Sequence, residues 1–206
     1  MGRNKQPRSV GELKDSAERH LKEYTDPTKS YAFRTYDEAA IHTDELTPAD
    51  VLMANLLSLR LTWREVTPLF AEGSGPSQEL RLALDDALAE ARDLPPLEDC
   101  TVEQAAMPAL RTANDLTAKV PRWTMVTVSK VLHRLAPTVP IIDSSIRAFY
   151  GSEHGGELRQ RIRADLIANR AWLSDLAVEF PVRKQPMALT RVADIVIWMD
   201  SRSPST

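Results

Sequence analysis

The chain has 206 residues, enough for one ordinary domain with a sizeable core and too few for two large ones. With 43% hydrophobic and 27% charged residues it is neither disordered nor fibrous, and a net charge of −3 leaves nucleic-acid contact dependent on a local basic patch. The single cysteine, Cys100, excludes an intramolecular disulfide framework and cysteine-rich zinc sites. No apolar run approaches the ~18 residues of a spanning helix, and the opening MGRNKQPRSVGELKD has no apolar signal-peptide core, so a cytoplasmic protein without membrane contact is expected.

Residues 1 to 10 carry Arg3, Lys5 and Arg8 and read as a basic flexible tail; residues 11 to 206 read as a single all-α domain. Val10, Leu13, Ala17, Leu21 and Tyr24 recur every three or four residues, an amphipathic helix that Asp26-Pro27 ends. The aromatics Tyr31, Phe33 and Tyr36 have no clean period, so irregular chain leads to the next helix. There Thr47 can cap, Pro48 suits the first helical position and Asp50 favours the N-terminal dipole. A helix to about Leu59 follows, then one from Thr62, the turn GSGPS, and a long helix from about Ser77 to Leu94 that Pro95-Pro96 stops. Further helices are expected over 101 to 118, 122 to 135, 143 to 150, 157 to 180 with a break near Arg170, and 186 to 200. TVPII (138 to 142) and ADIVIWM (193 to 199) could be strands, but context makes them a connector and a buried helix.

Common catalytic signatures are missing. His20, His42, His133 and His154 show no zinc-ligand spacing, no phosphate-binding G-x-x-x-x-G-K-[ST] occurs, and no G-x-S-x-G elbow is present. No metal and no cofactor is expected.

The informative stretch is residues 121 to 151, PRWTMVTVSKVLHRLAPTVPIIDSSIRAFYG. Val128, Val131, Leu132 and Leu135 form the inner stripe of a helix, while Arg122, Thr127, Lys130 and Arg134 fall on or near an outer, basic face. Pro137 and Pro140 stiffen the connector, and Asp143 sits where a helix cap belongs. This order resembles the core of the helix-hairpin-helix DNA glycosylase superfamily: Ser129 to Leu135 match the second hairpin helix, Pro140-Ile141-Ile142-Asp143 the connector ending in the aspartate, and Ile146-Arg147 the helix beyond. A closer resemblance, carried by TYDEA, LTPADVLMANLLS, VSKVLHRLAPTVPIIDSSI and TRVADIVIWM, is to the uncharacterised domain-of-unknown-function 6308 family of bacteria, which implies no activity. Trp123-Thr124-Met125 replaces the Gly-x-Gly of the glycosylase hairpin, so backbone amides cannot approach a phosphate there as they do across glycines.

The glycosylase resemblance implies a monofunctional base-excising enzyme in which Asp143 steadies positive charge on the sugar and helps water attack. No lysine stands where a Schiff-base amine would, because Lys130 lies inside the helix. Each candidate has a structural alternative. Asp143 is catalytic or only a helix cap. Lys130 and Arg134 hold phosphates, with Arg147, or form a solvated face. His133 is a general base or a core-edge residue. Arg159, Arg161, Arg163 and Arg170 track a backbone or are solvated. Asp194 is an ion-pair partner of Arg191 or a second acid in the pocket of Asp143. The site is expected in a cleft near Asp143, Lys130 and Trp123. Its partner is DNA through a local basic face or, for a repurposed or inactive fold, a small molecule or a protein.

Overall fold

The computed structural model describes residues 7–41 and 45–203, and 66% of these described residues are helical. Among the described residues there is no strand beyond one isolated bridge between Val182 and Gln185, and no helix is long and apolar enough to cross a membrane. The all-α expectation therefore stands.

Among the described residues ten α-helices carry the fold: α1 (Lys14–Thr25), α2 (Pro48–Met53), α3 (Trp63–Phe70), α4 (Pro76–Asp93), α5 (Pro108–Leu116), α6 (Met125–His133), α7 (Ser144–Tyr150), α8 (Gly155–Ala168), α9 (Arg170–Glu179) and α10 (Leu189–Arg202). Local chemistry fixes several starts. Ser9 forms a reciprocal capping box with Glu12 on the 3-10 turn Val10–Leu13 that leads into α1, Thr47 and Thr62 do so with Asp50 and Glu65 at α2 and α3, and Pro48, Pro76 and Pro108 occupy first turns, where a missing N–H costs nothing.

The single helix expected over 101 to 118 is in fact a 3-10 turn, Gln104–Ala106, followed by α5. Pro108 disfavours helical backbone at the residue before it, and Met107 takes φ 45°. Arg122, at φ 65°, also turns the chain, and α6 begins only after its Thr124 cap. The break expected near Arg170 falls at Asn169, between α8 and α9.

The helices form two groups. In one, α10 packs against α1, α7, α8 and α9; in the other, α4 packs against α3, α5 and α6, and α2 against α3 and α6. The connector after α6 ties the groups together, since Thr190 of α10 donates to Pro137 O and Ile142 N donates to the Ser129 hydroxyl. The chain is anchored already at its described N-terminal end. Arg8 pairs with Glu12 and with Asp200, Val10 is fully buried, and the buried Asp165 accepts from Ser9 Oγ, Val10 N, Tyr150 Oη and Asn169 Nδ2. The rest of the expected tail, residues 1–6, lies outside the described residues, as does His42.

One expectation is overturned outright. Helix α6 has no solvated basic face: Thr127 through His133 are all buried, and Lys130 and Arg134 are each only 7% exposed. A helix can be enclosed on every side while carrying charges only if each charge meets a partner, and these do.

Candidate functional site

Where the two helix groups meet there is a cleft of about 440 Å³. One wall comes from α10, with Arg191, Asp194, Ile195, Trp198 and Arg202, which share a helical face at intervals of three and four residues. Tyr24 of α1 and residues 29–32 continue that wall. Opposite stand Leu56, Leu57 and Ser58, and Lys130, Ile141 and Asp143 complete the lining.

Asp143 caps α7: its Oδ1 accepts from Ser145 N at 2.9 Å and Ile146 N at 3.2 Å. Its other oxygen, Oδ2, lies 3.3 Å from Lys130 Nζ, which also donates to Leu57 O at 2.8 Å. Cap and cleft residue are thus one and the same side chain, because the capping geometry uses only half of the carboxylate.

Arg191 organises the deeper part. Its Nε and Nη2 grip Asp37 at 2.7 and 2.9 Å, Nη2 also donates to Tyr24 Oη at 2.6 Å, and Nη1 pairs with Asp194. Burial opposes the charge on Arg191, but Asp37, Tyr24 and Asp194 outweigh it and hold its pKa well above the ordinary value. Three carboxylates, Asp37, Asp143 and Asp194, thus face two contacting cations, Arg191 and Lys130. The carboxyl that yields is Asp194, pushed up to about 7 by burial and further by the charges of Asp143 and Asp37, against the pull of Arg191 and Lys130. Asp194 is therefore both the ion-pair partner of Arg191 and a lining residue beside Asp143.

The outer wall is aromatic. Tyr24 and Tyr31 stack at 5.6 Å between centroids, Trp198 stands edge-on to both at 6.2 and 5.7 Å, and the Arg202 guanidinium lies 4.7 Å over the Trp198 ring. Burial raises the Tyr24 hydroxyl well above its usual range, so it stays a neutral hydrogen-bonding group.

The other expected site residues lie elsewhere. Trp123 is buried under α3, with Nε1 near Glu65 O at 3.4 Å, and does not line the cleft. His133 is buried and bonded through Nδ1 to Val139 O at 2.7 Å; burial, reinforced by the Arg191 charge, lowers its pKa to about 4. Arg134 is spent on Asp50 at 2.8 Å and on the carbonyls of Ala39 and Ala40. Arg147 pairs with Glu153 outside the cleft. The arginine run on α8 and α9 is also committed: Arg159 to Ala105 O and Ala106 O, Arg161 to Tyr150 O and Glu157, Arg163 to Cys100 O, and Arg170 to Asp99.

Sequence reasoning missed Asp37, Tyr31 and Trp198. For Trp198 the signal was present, since it stands four residues beyond Asp194 on the same helical face. Asp37 and Tyr31 sit around the π-helical turn Phe33–Asp37, which has no sequence period to reveal it.

The family model described as "Family of unknown function (DUF6308)" matches residues 17–201, and the chain belongs to that family. No curated protein and no solved structure matches the chain.

Proposed function

We propose that this member of the family is a small-molecule hydrolase that cleaves an N-glycosidic bond, with Asp194 as general acid and Asp143 as the group that steadies the sugar cation and receives the proton of water. One observation carries the reading. Two carboxyl groups line one aromatic-walled cleft in different settings, Asp143 against an ammonium and two backbone amides and Asp194 pushed up to about 7. Separated environments of this kind are what a shared acid–base task requires.

In the proposed reaction the C–N bond breaks with its electron pair going to the leaving nitrogen, which takes the proton held by Asp194. Positive charge develops on the sugar carbon beside the Asp143 carboxylate, and water adds there, giving up its proton to Asp143. The rings of Tyr31 and Trp198 offer a stacking surface for the leaving heterocycle.

A small molecule suits the site better than a duplex. Lys130, Arg134 and Arg147, the expected phosphate contacts, are each engaged with an acidic partner. The test is chromatographic detection of free base after incubation with a panel of nucleosides, nucleotides and lesion-bearing oligonucleotides. Base release from a nucleoside or nucleotide, lost in Asp143→Asn, is expected. Release from oligonucleotides alone would replace the small-molecule reading, and release from nothing in the panel would overturn the glycosidic one.

A further inference from the structure

A second cavity, of about 270 Å³, lies behind Arg191 on the side away from Asp194. Its lining includes Arg134, Arg183, Arg191 and His133, and among the described residues Asp37 is the only acidic side chain in it. We propose that this cavity binds a small oxyanion, a carboxylate or a phosphate, held between Arg183 and Arg134.

The hydrogen-bonding capacity of Asp37 is directed at Arg191 and Tyr24. Both its oxygens are taken by Arg191, and Oδ2 also accepts from the Tyr24 hydroxyl. Arg191 in turn is satisfied by Asp37, Asp194 and Tyr24, which leaves the other two guanidiniums. Arg134 spends Nη1 and Nη2 on Asp50 and two backbone carbonyls, but its Nε is buried without a partner among the described residues. A buried guanidinium donor left unpaired is costly, so such an atom points to a missing acceptor.

Arg183 is set up in the same sense. The Val182–Gln185 bridge closes a tight turn in which Arg183 and Lys184 take φ 49° and 65°, a left-handed pair that side chains other than glycine rarely adopt. Its backbone N–H is fixed to Glu38 at 2.9 Å, and its Nη1 reaches the carbonyls of Asp37 and Ala39 at 3.1 Å each. Among the described residues no carboxylate side chain stands within ion-pair distance of its guanidinium. Arg183 Nη1 and Arg134 Nη2 both donate to Ala39 O, at 3.1 Å each, which places the two cations near one another; burial, and next the like charge of Arg134, lower the pKa of Arg183 against the charges of Asp37 and Glu38. Strained backbone that brings two like charges to one cavity wall is stabilised by an anion between them, and guanidinium forks match carboxylate and phosphate geometry.

The test uses the full chain and inorganic phosphate, acetate and chloride at matched ionic strength, read by thermal unfolding and by calorimetric titration. Phosphate, acetate or both should raise the melting temperature saturably where chloride does not, and the ion that does so assigns the class. Arg183→Gln should weaken binding by about tenfold or more, the scale of one charge-assisted hydrogen bond. Asp143→Asn, which leaves this cavity intact, should keep the full response, so failure of the hydrolase reading and failure of this one remain distinguishable. A response equal to that of chloride, or one undiminished in a folded Arg183→Gln protein, overturns the proposal. Should Arg183→Gln not fold, the parent decides: the Arg134 Nε–H resonance must shift saturably with the bound ion, and an unmoved resonance counts against the site.

Discussion

At the scale of single residues, Asp143 carries two duties that substitution can separate. Asparagine can still accept the Ser145 and Ile146 amides but leaves the enclosed Lys130 ammonium without its carboxylate, so Asp143→Asn should fold with a lowered melting temperature while base release by the folded variant falls by about 10²- to 10⁴-fold. Base release by the folded variant equal to that of the parent would reduce Asp143 to a structural residue. Asp194 makes a pH prediction. Its carboxyl lies near 7 in the fold against an ordinary value of 3.8, so between those values the folded protein holds a proton that the unfolded chain has released. Its contribution to stability is full below about 4 and is lost as pH rises through 7. His133, lowered to about 4, acts in the opposite direction, its contribution vanishing as pH falls through the same window. The difference between parent and Asp194→Asn in urea denaturation from pH 4 to 8 isolates the Asp194 part, and the variant should lack the decline toward pH 7. In activity, the parent should lose rate above about pH 7 and Asp194→Asn should lose that limb. The cap at Asp143 was readable from Asp-Ser-Ser after a proline-stiffened connector, whereas the carboxylates that push up Asp194, Asp143 and Asp37, come from the end of the connector and the turn before α2 and have no signature in its own helix.

At the scale of elements, α6 decides what charge reversal does. Lys130 and Arg134 are enclosed and each faces a carboxylate, so Lys130→Glu and Arg134→Glu should each destabilise the fold by about 3–5 kcal/mol, because each leaves a buried acid uncompensated. Urea midpoints within experimental error of the parent would refute that placement. These residues looked solvated in the sequence because the apolar stripe of Val128, Val131, Leu132 and Leu135 has a polar flank at the right period. The partners that enclose the flank are 84 residues away at Asp50 and 73 at Leu57, beyond the reach of local pattern. Helix starts were legible for the opposite reason: Thr47, Pro48 and Asp50 complete their capping within four residues. Where one expected helix divided, at Met107 before Pro108, the rule on residues preceding proline was already visible in the chain.

At the scale of the whole molecule, the cations that the sequence offered as phosphate contacts, Lys130, Arg134 and Arg147, are each committed to an acidic partner of the fold. With a net charge of −3 and the expected phosphate contacts committed to acidic partners, fluorescence anisotropy with labelled duplex DNA should show no saturable binding at low salt, and the log–log salt dependence should lack the slope of about −0.9 per phosphate that backbone contacts produce. A steep slope would restore a nucleic-acid role. The all-helical class was legible from near-3.6 periods and the lack of hairpin turns. The meeting of the two helix groups was not, since it is created by α10 lying across chain elements more than a hundred residues earlier.

The enclosure of α6 also limits how this sequence can drift. An exposed helix tolerates exchange of its polar residues one at a time, but here Lys130 answers to Asp143 and Arg134 to Asp50, so acceptable changes must arrive in matched couples. Saturation mutagenesis of α6 alone would make the helix look intolerant to change. Saturation of position pairs would uncover solutions, such as Lys130 and Asp143 replaced together by apolar residues of similar volume, that preserve stability while abolishing the chemistry of the cleft.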